Sequence, residues 1–341
     1  MIAARTPTQR PADAKLLVIE ANGRLQHAPR QRLADFLRAG DVLIANDAAT
    51  LPASLSGIHL RSAAPIEVRL AGRASLAADD VHEFVAVVFG AGDHRTPTEQ
   101  RALPPALREG DALALGPLHA QVLRTLDHPR LIALHFDGTP DTIRAAIARH
   151  GKPVQYAHLP APLTLWDVWT SVAARPVAFE PPSAGFVLDW ALLHTLRERG
   201  IGFATLTHAA GLSSTGDAAL DARLPFDEAY HLPAATLAAI DRAHAHGGRV
   251  VALGTTVTRA LEHAASRGLK SGDDVADQRI GAHTRLQIVD AIISGTHEPG
   301  TSHRELLRAF ASDALLSRAD AELAAHGYLT HEFGDSVLIA A

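Results

Sequence analysis

Cysteine is absent from all 341 residues, which excludes disulfides, thiolate nucleophiles and cysteine-ligated zinc or iron–sulfur centres. Lysine occurs only at Lys15, Lys152 and Lys270 and the formal net charge is −5, so no global electrostatic pull on nucleic acid is expected; a local arginine stripe would still supply one. No apolar run reaches the roughly 18 residues of a membrane span, and Met1 to Pro7 lacks the apolar region of a signal peptide. These absences predict a cytoplasmic protein without a membrane partner. No internal repeat, low-complexity tract or coiled-coil heptad is visible. What the chain does have is 47% hydrophobic residues, enough for a large core or two domains.

The texture of the chain changes twice. Residues 15 to 57 read as strand, turn, helix and strand, with Asn22-Gly23 as a hairpin turn and Val42 to Ala45 as a buried run. From about residue 61, Ile66 to Leu70 alternates with period two, as do parts of Phe84 to Phe89, Ala112 to Leu115, His119 to Leu123 and Leu131 to Phe136, with Gly and Pro between them, which predicts a small antiparallel barrel or sandwich. Helix resumes at Thr142 to Arg149, and Gly151-Lys152-Pro153 returns the chain to the main domain. Helices are then expected at 190–199, 234–246, 302–311 and 313–326, with the last strands within 328–339. The expected organisation is a mixed α/β main domain, 1–60 and 150–341, interrupted by an inserted small antiparallel β-barrel at 61–149.

Within the second half, Val250 to Leu253 reads as a strand covered on both faces, Gly254 as a tight turn, and Thr255 onward as a helix whose first amides Thr255 or Thr256 can cap. Such a helix start offers N–H groups to a carboxylate or phosphate. Val257, Leu261 and Ala264 face a core, while Arg259 and Glu262 sit one turn apart on another face, so an ordinary strand-turn-helix unit with a surface ion pair has the same pattern. Gly211 to Asp217 lacks both the lysine of a phosphate loop and the register of a nucleophile elbow, and reads as a loop lining a site or a plain surface turn. His297, His303 and His331 near Glu298 and Glu332 suggest a metal site only superficially, because Pro299 and Gly300 interrupt any helix that would align them. No metal is expected.

The stretch Gly248 to Glu262 resembles the strand-turn-helix signature of the S-adenosylmethionine:tRNA ribosyltransferase-isomerases of queuosine biosynthesis. Further segments follow in that family's order: Lys15 to Ile19, Leu37 to Asp47 with Asn46-Asp47, Leu51 to Gly57, Pro182-Ser183-Ala184-Gly185-Phe186, Glu228, His297-Glu298-Pro299, and Gly334 to Ile339. The similarity spans nearly the whole chain and is weakest between about 61 and 150. Several polar positions depart from the pattern. Ala49 and Ser54 stand where the family usually has arginine, Val187 where it has histidine, and Leu206-Thr207-His208-Ala209 replaces Leu-His-Val-Gly.

The resemblance implies an inserted β-barrel and a transfer of the ribosyl part of S-adenosylmethionine, as co-substrate, to the aminomethyl-deazaguanine of a tRNA, releasing adenine and methionine. The sulfonium acidifies the C5′ protons, so a carboxylate or imidazole must remove one while another group assists adenine departure. On the matched positions, Glu228 is the candidate base. His297, Asp335 and Asp47 are candidates for the ribose hydroxyls or the leaving adenine, with Asn46 beside them. Ser183 and Gly185 form a backbone wall, Phe186, Phe226 or Trp190 contacts adenine or the sulfonium, and Gly254, Thr255 and Thr256 with Arg259 receive the methionine carboxylate. The missing arginines leave two alternatives open: a different, small-molecule acceptor, or a non-catalytic ligand-binding paralogue. A monomer is expected.

Overall fold

A computed structural model describes residues 2–340. The unbroken apolar runs become the centre of a nine-stranded sheet, in the order Gly272–Ala276, Glu228–Leu232, Gly202–His208, Val42–Asn46, Val250–Leu253, Ala291–Gly295, Ser336–Ala340, Lys15–Ile19, Leu25–Pro29. The four strands from Gly202–His208 to Ala291–Gly295 run parallel, so their carboxyl ends share one edge. Both faces are covered. Ile44, Ala252 and Ile292 pack with Ile240 and Leu261 of the helices Ala234–Ala245 and Thr255–Ser266. Their neighbours Leu43, Val251 and Ile293 pack with Leu196 of the helix Trp190–Glu198 and Leu33 of the 3-10 turn Arg30–Phe36. A strand buried on both sides has no polar alternation, which is why these runs are continuous. Four of the helices start where a side chain satisfies a first amide: Thr139, Asp189, Thr301 and Ser312 each accept one.

The inserted element is a closed barrel of six strands, Ser54–His59, Ala64–Gly72, Glu83–Phe89, Ala112–Leu115, Leu118–Thr125 and Leu131–Phe136. It begins earlier than the expected boundary at residue 61. Ser54–His59 pairs antiparallel with Ala64–Gly72, Ser54 opposite Arg69. Gly57, read from sequence as the end of a motif, lies inside this strand because a Cβ there would be 2.1 Å from the Ala114 carbonyl oxygen of the neighbouring segment. The helix Pro140–His150 then returns the chain to the sheet.

The outer face of the barrel carries a buried charged cluster, because Glu67 and Arg69 alternate with the inward-facing Ile66, Val68 and Leu70. Glu67 Oε1 accepts from Arg69 Nε at 2.7 Å and Ser54 Oγ at 2.8 Å, and its Oε2 accepts from Arg101 Nη1 at 2.5 Å. The guanidiniums of Arg69, Arg101 and Arg130 surround the Phe89 ring at 4.8, 5.0 and 4.8 Å. Burial alone would raise the Glu67 carboxyl, but the two paired arginines overcome it and hold the group below its ordinary 4.5. A depressed carboxylate stabilises the fold above the unfolded value, and that contribution disappears as pH falls through the folded one. Glu67→Gln should therefore destabilise the protein by about 3–5 kcal/mol at neutral pH, because it leaves buried guanidiniums uncompensated. It should also flatten the acid side of the stability curve, measured as urea midpoints between about pH 5 and pH 2.

Candidate active site

The recess of interest lies at the carboxyl edge of the parallel strands, where crevices in open α/β sheets form. Strand Val250–Leu253 ends in Gly254, whose φ of +101° and whose approach to Ala184, 3.1 Å from an added Cβ, admit no side chain without strain. The helix Thr255–Ser266 that follows has no side-chain cap. Neither threonine fills that role, contrary to expectation; the Thr256 hydroxyl instead receives Asn46 Nδ2 at 3.3 Å. Among the described residues, no side chain satisfies the first amides of this helix, which starts at the edge of the recess.

Arg259, one turn into the helix, does not pair with Glu262 on the surface. Both are buried. Glu262 accepts the backbone amides of Gln287, Ile288 and Val289 at 2.7, 3.0 and 2.9 Å. Arg259 crosses the recess floor, giving Nη1 to Glu228 Oε2 at 2.5 Å and to the Phe226 carbonyl at 2.8 Å, and Nε to the Gln278 carbonyl at 2.9 Å. The other Glu228 oxygen accepts the Gly211 amide at 2.5 Å. Arg259 Nη2 is buried without a hydrogen-bond partner among the described residues, and Arg259 lines the recess. His208 lies behind this pair, its Nε2 3.4 Å from Glu228 Oε2, and burial lowers its pKa to about 4 despite the nearby carboxylate, so the ring is neutral.

On the opposite wall, His297 and His303 stack face to face with centroids 4.4 Å apart. Pro299 and Gly300 do not separate them, because the loop folds back and presents both rings at the start of the helix Ser302–Leu307. Burial lowers the pKa of each, that of His297 strongly and with the neighbouring histidines acting in the same direction. Both imidazoles are therefore neutral at pH 7. Beside them Glu180 accepts the Tyr156 hydroxyl, and burial pushes the Glu180 carboxyl up to about 7. Among the described residues, two groups could reach a cation, His27–Glu322–His326 and His158–His331–Glu332. In each a histidine is already bonded to the glutamate, at 3.3 and 3.1 Å, and two imidazole rings lie against one another, tilted in the first group and stacked in the second.

A family model described as "Queuosine biosynthesis protein" matches residues 1–339. The chain belongs to that family. It is 31% identical to the S-adenosylmethionine:tRNA ribosyltransferase-isomerase of Thiobacillus denitrificans, over 99% of this chain and 94% of that protein. To the protein of the same name from Pelobacter propionicus it is 30% identical, over 99% and 96%. The fold matches the crystal structure of an S-adenosylmethionine tRNA ribosyltransferase from Thermotoga maritima, with a TM-score of 0.52, 22% identity, and 99% and 96% of the two chains covered.

Of the positions matched to the queuosine family, Ser183, Glu228, Gly254, Thr255, Thr256, Arg259 and His297 line one recess. Asn46 lies beneath it, its Oδ1 accepting the amides of Ala48 and His208 at 3.0 and 2.9 Å and its Nδ2 donating to the His208 carbonyl at 2.9 Å. The others lie elsewhere. Asp47 accepts the hydroxyls of Thr205 and Thr207 at 2.9 and 2.6 Å. Gly185 and Phe186 turn inward, where Phe186 stacks on Phe333 at 5.1 Å, and Trp190 is 80% exposed at a helix start. Asp335, a candidate catalytic residue, does not line the recess: its oxygens accept the amides of Lys15 and Leu329 at 2.7 and 2.8 Å, tying two strands together. Ala49 and Ser54, where the family usually has arginine, sit in β-pairings, Ala49 opposite Pro176 and Ser54 on Glu67. Glu180 and Tyr156 went unnoticed in the sequence because no motif surrounds them. Only the Pro181-Pro182 that follows Glu180 hinted at a wall.

Asp335→Ala should lower stability by about 2–4 kcal/mol, since it strands two buried amides, while leaving ligand binding in the recess unchanged. Urea unfolding and calorimetric titration of the folded variant with S-adenosylmethionine separate the two effects.

Proposed function

We propose that the chain transfers and isomerises the ribosyl part of S-adenosylmethionine onto the aminomethyl-deazaguanine of a tRNA, giving epoxyqueuosine and releasing adenine and methionine in the cytoplasm. The observation that carries this reading is the recess itself. It joins an uncapped helix start and an unpartnered guanidinium nitrogen, suited to an amino-acid carboxylate, to a pair of buried neutral imidazoles, in a chain of the queuosine family. Ionisable groups within the recess favour an enzyme over a non-catalytic paralogue, and relatives named for tRNA over the whole length favour tRNA over a small-molecule acceptor.

In this reading the methionyl carboxylate lies against the amides after Gly254 and against Arg259 Nη2. Glu228 is the residue that orients Arg259, since one oxygen is committed to that guanidinium and the other to Gly211. The proton-accepting role expected of Glu228 passes to His297. The C5′–H bond breaks, its proton goes to the neutral imidazole, and the electron pair stays on the carbon beside the sulfonium. His303, stacked on the ring, holds its orientation.

Purified protein should release adenine from S-adenosylmethionine only when tRNA bearing the aminomethyl-deazaguanine is present, and the rate should fall as salt screens the phosphate contacts. His297→Gln should slow release by on the order of 10²–10⁴-fold with little change in KM, the range for a lost acid–base group. Glu228→Gln should mainly raise KM for S-adenosylmethionine. Release that ignores tRNA, or a His297 variant with wild-type kcat, contradicts the assignment.

A further inference from the structure

We propose that Glu180 receives the amine of the acceptor and takes its proton, in a second recess that opens off the donor site beneath the barrel. The inference rests on the ribosyl-transfer reading and adds the acceptor's catalytic group to it. The second recess, about 430 Å³, is bounded by Pro97–Glu99 of the barrel insertion and by the loops carrying Glu298 and His331. It meets the donor recess at Glu180, Ser183, Ser213, His297 and His303, which line both. A flat wall runs along it: the Tyr156 and His158 rings are 10° from parallel, and His158 and His331 stack at 4.3 Å. His331 sits in a turn at a φ of +70°, its amide donating to the Thr296 carbonyl and its own carbonyl accepting from Gly334.

Glu180 differs from every other buried glutamate described. Glu67 has two arginines, Glu228 has Arg259, and Glu262 has three backbone amides. Glu180 has no cationic partner and accepts the Tyr156 hydroxyl. A buried carboxyl without a cation at the meeting of two recesses is complementary to a ligand that brings one, and an aminomethyl group is a primary ammonium at neutral pH. The step is a proton transfer: the N–H bond of the ammonium breaks, an O–H bond forms on Glu180, and the freed nitrogen lone pair becomes the nucleophile of the transfer. Burial raises the carboxyl to about 7 and disfavours the ammonium, so the two groups converge. Besides Tyr156, the titratable groups facing Glu180 are Glu332, which raises it, and His158, His297, His303 and His331 around the recess, with Arg69 over the far side of the Tyr156 ring.

The test uses the full-length protein, S-adenosylmethionine and tRNA carrying the aminomethyl-deazaguanine, with adenine release followed against pH. Glu180→Gln, nearly isosteric, should lose on the order of 10²–10⁴-fold in kcat and lose the acid limb near neutrality, with S-adenosylmethionine affinity by calorimetry kept within about threefold. Tyr156→Phe removes a bond that favours the ionised carboxyl, so its acid limb should move to higher pH. Wild-type rate and acid limb in Glu180→Gln, beside an active wild type, overturn this inference alone. Loss of donor binding in that variant assigns Glu180 a structural role and also overturns it. A wild type that releases no adenine with this tRNA overturns the ribosyl-transfer reading and this inference together.

Discussion

Arg259 and Glu228 join three segments that are far apart in the chain: the helix after the central strand, the first residue of an antiparallel strand, and the loop that begins at Gly211. A buried ion pair of this kind adds little net stability when intact, because desolvation offsets most of the attraction, yet breaking it leaves an uncompensated charge. Its consequence is geometric. With Glu228 fixed by the Gly211 amide on one side and the guanidinium on the other, Arg259 is held through Nη1 and Nε, and its Nη2 stays buried without a partner among the described residues. Asn46 does the same for the uncharged half of the floor, bonding both the His208 backbone and the Thr256 hydroxyl, so that strand ends and helix start move as one body. A carboxylate entering there meets preorganised donors, and little ordering is left to be done on binding.

The remaining ionisable groups are governed by burial more than by their partners. His208, His297 and His303 all lose their charge at neutral pH because the enclosing walls disfavour the imidazolium. Glu180 is held near neutrality for the same reason with the opposite sign. One low-dielectric environment thus produces neutral bases on one wall and a carboxyl poised between its two states at the junction of the recesses, which is the division of roles that paired proton transfers require.

The sheet and barrel were legible because their signals are local. Continuous apolar runs such as Val250 to Leu253 mark strands covered on both faces, and alternation in His119 to Leu123 marks a barrel wall with one face inward. Legibility ended where a residue's role depends on which distant group it meets. Glu262 and Arg259 show helical spacing for an ion pair, yet each is drawn inward, one to backbone amides and the other across to Glu228, because both face buried polar groups with unmet hydrogen bonds. Asp335 carries the same carboxylate as Glu228 and sits in an equally motif-like stretch, but it meets only amides at a strand junction. His297 and His303 are separated by a proline and a glycine, and it is the loop's return that stacks them, a fact of tertiary geometry with no periodicity to betray it.

The barrel contributes to the site through its edge, not its interior. The Glu67 cluster on its outer face reaches the wall of the site through Arg69, 5.5 Å from the Tyr156 ring, and Thr98 lies so close to Gly216 that a Cβ there would be 2.3 Å from the Thr98 carbonyl carbon. That contact fixes the far end of the loop whose near end, Gly211, holds Glu228. A shift of the barrel against the sheet would therefore be transmitted along residues 211–216 to the orientation of Arg259, while also widening or narrowing the recess bounded by Pro97–Glu99. The barrel edge and the floor of the donor recess thus meet in one short loop, residues 211–216, one end of which packs on Thr98 while the other holds Glu228.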